Sequence, residues 1–133
     1  MENKKSQKGE MSHHGNIRVG LTGEALAVEA LEQDGYKIIE QNYRTKLGEI
    51  DIIALQGDVL VFVEVKARRT NRFGHPKQAV TADKQRKISM VALAYLKNTG
   101  QMNRKARFDV VAVRLWREKS EIDIIKNAFD LAY

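Results

Sequence analysis

GEIDIIALQGDVLVFVEVK, from Gly48 to Lys66, is two apolar runs broken by Gly57-Asp58. A Gly-Asp pair between runs rich in Val, Ile and Phe predicts a tight β-hairpin. Side chains alternate faces along a strand. In the second run Val61, Val63, Val65 and Ala67 share one face, and Leu60, Phe62, Glu64 and Lys66 share the other. One face is wholly apolar and the second is apolar for half its length, the pattern of an interior strand covered on both sides. Glu64 and Lys66 then emerge from a covered sheet near the end of the strand. With Gly57 and Asp58 as the central turn residues, Gln56 faces Val59, Asp51 faces Glu64 and Glu49 faces Lys66. Opposite residues have Cβ atoms about 4.5–5.5 Å apart, and two carboxylates so placed repel. A bound divalent cation, protonation of one acid, or an ion cluster with Lys66 would each offset that repulsion.

Outward from this hairpin the elements follow in order. Leu21, Ala25, Val28 and Leu31 recur at helical spacing from about Arg18 to Asp34, with Gly35 as a stop. Tyr36–Arg44 predicts a first strand, and the hairpin supplies the second and third. RRTNRFGHP is a loop containing the single proline, Pro76. Thr81–Asn98 predicts a second helix with Ile88, Val91, Ala92, Tyr95 and Leu96 on one face. Lys105–Leu115 predicts a fourth strand, and EIDIIKNAF a short fifth. The expectation is an α/β fold, a mixed sheet flanked by helices in the order α-β-β-β-α-β with a final short strand.

At 133 residues, 43% of them hydrophobic, the chain suits one globular domain with a real core. Residues 1–16 are polar, basic and poor in large apolar side chains, which predicts a disordered arm ahead of a domain over 17–133. That arm has no apolar segment of a secretory signal, and no apolar run approaches a membrane span. His13 and His14 stand adjacent in it and read as solvated surface. With zero cysteines, disulfides and thiolate metal sites are excluded, in keeping with a cytoplasmic location. A net charge of +6 permits an anionic partner such as nucleic acid. Lys66, Arg68, Arg69, Arg72, Lys77, Lys84, Arg86 and Lys87 cluster against the single acid Asp83. Arg68, Arg69 and Arg72, in the loop at the mouth of the charged hairpin, are the best placed to neutralise phosphates. Lys84 and Lys87 are expected on the outside of the second helix. No motif reads base edges, so backbone and shape recognition is expected.

GEIDIIA, a hairpin and FVEVK together resemble the D…(D/E)-x-K signature of the PD-(D/E)XK nuclease superfamily, with Ile50 where a proline usually precedes the aspartate. More closely, GLTGEALA, GYKIIEQNYR, GEIDIIA, FVEVKAR and RFDVVAV resemble the YraN-like proteins, a bacterial family of predicted endonucleases similar in fold to archaeal Holliday-junction resolvases. The resemblance implies a restriction-endonuclease-like fold and a metal-dependent endonuclease acting on DNA, branched or flapped DNA included, with RNA left open. It implies Mg²⁺ or Mn²⁺ held by Asp51, Glu64 and the Val65 carbonyl. Lys66 would orient the nucleophile or stabilise developing charge, and Glu24 would support the metal or its waters. It places Lys77, Gln78 and Arg44 with Arg68, Arg69 and Arg72 as nucleic-acid contacts. A junction-cutting enzyme needs two sites, hence a symmetric homodimer.

Each of these residues also has a structural reading. Asp51, Glu64 and Lys66 could form a partly buried ion cluster. Glu24 could be an acid favoured near a helix start. Asp109 in RFDVVAV reads as a partner for a basic side chain. Two other functions stay open: a non-catalytic DNA- or RNA-binding module with the same fold, and a structural or interaction protein.

Overall fold

The computed structural model describes residues 19–71 and 80–132, with side chains from Gly23 onward in the first helix. Its elements are α1 (Val19–Gln33), β1 (Lys37–Thr45), β2 (Gly48–Gln56), β3 (Val59–Arg69), α2 (Ala82–Asn98), β4 (Ala106–Trp116) and β5 (Lys119–Phe129). The strands form one five-stranded sheet in the order β1-β2-β3-β4-β5. Only β3 and β4 run parallel, and α2 is the crossover that joins them. This mixed sheet with two helices is consistent with a restriction-endonuclease-like fold. The arm over 1–16, and Arg72, Lys77 and Gln78, lie outside the described residues. Among the described residues no helix is long and apolar enough to cross a membrane.

The hairpin turn is as expected. Gln56 pairs with Val59, and Gly57 takes φ +64°, which a two-residue turn with glycine at its first central position requires. β3 carries two apolar faces. Val61 and Val63 pack with Leu26, Ala27 and Leu31 of α1, while Leu60 and Phe62 pack with Ile88, Val91, Ala92, Tyr95 and Leu96 of α2. The sheet is therefore clad by one helix on each side.

Two expectations are corrected. The stripe of α1 that meets the sheet is Gly23, Leu26, Ala27 and Leu31, and Ala25 is exposed. Alanine and glycine fill several positions of this helix and fit a buried or an exposed face, so its spacing alone does not set its rotation; contact does. A Cβ on Gly23 would lie 2.4 Å from Ala67 Cβ, so this face meets β3 closely only because residue 23 has no side chain. The fifth strand is not short: it runs eleven residues. Its charges look like strand breakers in sequence, but Glu121 and Asp123 both accept from the Arg114 guanidinium on β4, at 2.8 and 2.5 Å.

On β4 Asp109, level with Val63 of β3, is fully buried and satisfied. It accepts from Tyr36 Oη (2.7 Å), Arg107 Nε (2.9 Å) and Nη2 (3.1 Å), and Asn127 N–H (2.9 Å). Arg107 also donates to Tyr36 Oη and Gln56 Oε1. Asp109 is thus the structural partner of a basic side chain that its sequence context suggests. Asp109→Ala would strand the Arg107 charge and the Tyr36 hydroxyl in a partly desolvated place. We expect a loss of about 3 kcal/mol in urea unfolding; a loss below about 1 kcal/mol would reduce the network to a surface ion pair.

Candidate metal and phosphodiester site

The charged end of the hairpin begins with a slip in the alternation of β2. Residues two apart on a strand should share a face. Yet Ile50 belongs to the core under α2 and Ile52 to the core under α1. Gly48 also faces α2, where its missing Cβ would sit 3.4 Å from Val91 Cγ2. The phase changes at Asp51, opposite a distortion in β1 where Asn42 takes φ +55°. The β2–β3 ladder stops there too, with Ile52↔Val63 its last pair. Asp51 therefore does not stand on either face. Its carboxylate turns into the gap between the strands, and Val65 N–H donates to Asp51 Oδ2 at 2.8 Å. Within a strand a residue's N–H and C=O point to the same neighbour, so the Val65 carbonyl also faces this gap.

The slip corrects the expected position of Glu49. It does not face Lys66. It pairs with Arg44 across β1–β2, with Arg44 Nε 3.3 Å from Glu49 Oε1. The Asn42 amide, its nitrogen turned toward the acids, donates to Glu49 Oε2 and to Glu24 Oε2, each at 3.2 Å. Three carboxylates consequently step through the sheet: Glu24 from α1 on one side, Asp51 at the gap, and Glu64 on the α2 side.

Asp51 and Glu64 lie close enough that each carboxyl bears on the protonation of the other. Burial, then the Asp51 charge, push the Glu64 carboxyl up to about 7. Asp51 is raised as well, by burial, but the Val65 N–H stabilises its ionised form. Glu24 is raised by partial burial and then by Asp51.

Two cations bear on Glu64. Lys66, two residues on and half-buried, shares its face and favours its ionised form. The second was not expected: Lys84 reaches inward from the first turn of α2, its Nζ 3.7 Å from Glu64 Oε2. The sequence does hold a signal for it. Thr81 reads as an N-cap, so Lys84 falls in the first turn of a helix that returns from the end of the strand bearing Glu64 and Lys66. Asn42 was likewise unmarked, although asparagine is among the non-glycine residues most ready to take a left-handed conformation. Of the expected nucleic-acid contacts, Arg68 and Arg69 are exposed at the end of β3, and Arg44 lies at the rim against Glu49.

No three carboxylate or histidine side chains among the described residues converge closely enough to enclose a cation. Two carboxylates and a backbone carbonyl nevertheless suit Mg²⁺ or Mn²⁺, hard ions for which one or two carboxylates are completed by water and substrate phosphate. The Asp51–Glu64 pair fits such an ion, because a divalent charge offsets the repulsion between the two acids.

The raised Glu64 has a consequence for stability without metal. Between about 4.5 and about 7 the folded protein keeps a proton on Glu64 that the unfolded chain has released. The unfolded state then binds fewer protons, so stability falls as pH rises through that window and stays lowered above it. Glu64→Gln keeps a donor toward Asp51 and cannot ionise. In chelator it should flatten this fall and be more stable than the native protein at pH 8 by the order of 1–3 kcal/mol. Urea unfolding across pH measures this, and parallel curves for the two proteins would refute it.

Residues 23–113 match the family model described as "Uncharacterised protein family UPF0102". A UPF0102 protein of Syntrophus aciditrophicus is 53% identical over 118 residues, spanning 89% of this chain and 93% of that protein. UPF0102 proteins of Geobacter sulfurreducens and Desulfosudis oleivorans are 50% and 54% identical, covering 94% and 84% of this chain and 98% and 89% of theirs. The match spans the helix that carries Glu24, the charged hairpin and most of β4, and the relatives extend it over nearly the whole chain: it belongs to the UPF0102 family, the YraN-like family that its motifs resemble.

Proposed function

We propose that this chain is a nucleic-acid-binding protein and a Mg²⁺- or Mn²⁺-dependent endonuclease that hydrolyses DNA phosphodiesters. The observation that carries the reading is the Asp51–Glu64 pair, a half-buried and a buried carboxylate from adjacent strands brought together where the ladder opens. A structural role gives no reason to bring two acids together there. A metal site does, and lysines stand beside it.

When bound, the cation supplies polarisation of a phosphate oxygen and a water acidic enough to attack near neutral pH. The residues do the rest. Asp51 and Glu64 hold the ion, with the Val65 carbonyl as a further oxygen donor. Lys66 orients the attacking water or meets charge developing on the phosphate. Glu24, held in place by Asn42, hydrogen-bonds water on the α1 side of the gap. Arg44 at the rim and Arg68 and Arg69 at the exposed end of β3 would contact a nucleic-acid backbone, together with Arg72, Lys77 and Gln78 further along the sequence. Such contacts bind any sequence. Branched or flapped DNA as the substrate, a homodimer for junction cutting, and a cytoplasmic setting rest on analogy of fold and on composition.

One observation favours a second reading. Lys84 already lies against Glu64, as it would in a non-catalytic DNA- or RNA-binding module whose acids are neutralised from within. Labelled duplex, single-stranded, flapped and four-way-junction DNA, incubated with Mn²⁺, Mg²⁺ or chelator, separates the two. The nuclease cuts at least one substrate only with metal, and Glu64→Ala slows cutting roughly 100-fold or more while remaining folded. Equal binding by both proteins, with no cutting of any substrate, would select the binding module.

A further inference from the structure

We infer that Lys84 is a displaceable cation of the site: it rests on Glu64 until a divalent ion takes that carboxylate, then turns to a phosphate of the bound nucleic acid. This rests on the metal-dependent reading above and assigns a role to a residue outside the D…E-x-K set.

The geometry separates an anchored backbone from a loosely held head group. Lys84 N–H donates to the N-cap Thr81 Oγ1 at 3.2 Å, which fixes the first turn of α2. The ammonium is 3.7 Å from Glu64 Oε2, beyond the usual 2.7–3.2 Å of an N–H···O bond, so attraction through space holds it there. Its side chain is half exposed, whereas that of Glu64 is 9% exposed, so the lysine has room to leave and the acid does not. Position in the helix adds to this. A cation in the first turn opposes the helix dipole. Arg86 and Lys87 both meet Asp83, at 3.4 and 3.5 Å, but Lys84 bends toward the sheet. A divalent ion on Glu64 would bring a second positive charge beside the ammonium on the same carboxylate, and two cations so placed repel. The lysine, half exposed, can then swing out on its four-carbon stem to meet a phosphate of the bound nucleic acid.

Two opposed effects follow from losing one charge, a pattern that a merely structural lysine does not give. In calorimetric titration of the full chain with Mn²⁺ and no DNA, Lys84→Gln should bind the ion about twofold to fivefold more tightly, because a competitor is gone. In Ca²⁺, the same variant should bind labelled duplex more weakly. Its plot of log Kd against log salt should be shallower by about one, the loss of one phosphate contact. In chelator, where Lys84 is parked on Glu64, its slope should equal that of the native protein. Lys84→Arg should restore the slope in Ca²⁺, which also controls for a folding defect in the first variant. Unchanged or weaker Mn²⁺ affinity in Lys84→Gln, or an unchanged slope in Ca²⁺, would overturn the inference. If Glu64→Gln abolishes Mn²⁺ binding while Lys84→Gln leaves it untouched, the metal site stands and the role of Lys84 falls. If the native protein binds no Mn²⁺, both fall.

Discussion

The organising constraint is that β3 is covered on both faces while its ladder with β2 opens at Asp51. A strand clad by α1 and α2 should carry only apolar side chains, and up to Val63 it does. At the next residue a carboxylate is buried, and the acid opposite is turned into the same gap. Neither can reach bulk water easily, and both cannot be ionised at that range without a counter-charge. Everything near the site answers to this. One acid keeps a proton, a backbone N–H stabilises the other, two lysines approach, and Asn42 ties down the flanking acids.

The rest of the molecule keeps that arrangement rigid. Gly23 lets α1 press against Ala67, which sets where Glu24 lies. The α2 crossover brings its first turn back to the end of β3, which sets where Lys84 lies. The Asp109–Arg107–Tyr36 network ties β4 to the segment between α1 and β1. Two polar clusters thus lie on one sheet, with Asp109 level with Val63 and Glu64 at the next residue of β3. In the Asp109 cluster the donors are supplied by the chain itself. In the Asp51–Glu64 cluster the acids still lack a full counter-charge, and only there does adding a cation improve the electrostatics.

Much of this was legible in the sequence because period, turn chemistry and caps agree with the fold. Gly57-Asp58 fixed the register from Gln56–Val59 to Ile52–Val63, and the two faces of β3 followed from alternation alone. The buried face of α2 was read correctly from Ile88 to Leu96. The slip at Asp51 was not legible. Ile50, Ile52 and Ile53 are all apolar, and a sheet covered on both faces accepts an isoleucine on either, so hydrophobicity carries no phase there. The rotation of α1 escaped for the same reason. The length of β5 was hidden by Glu121 and Asp123, whose partner Arg114 lies on another strand. Lys84 was placed on the outer face because periodicity marks the buried stripe of a helix. It does not mark a long side chain that reaches past the helix end to a carboxylate on the sheet.

The central claim is that Asp51 and Glu64 are ligands of one divalent ion. Crystals grown with Mn²⁺ and measured for anomalous scattering test it most directly. The account predicts a single strong peak in the gap between β2 and β3, about 2.0–2.6 Å from an oxygen of each carboxylate. A map with no peak there would contradict it.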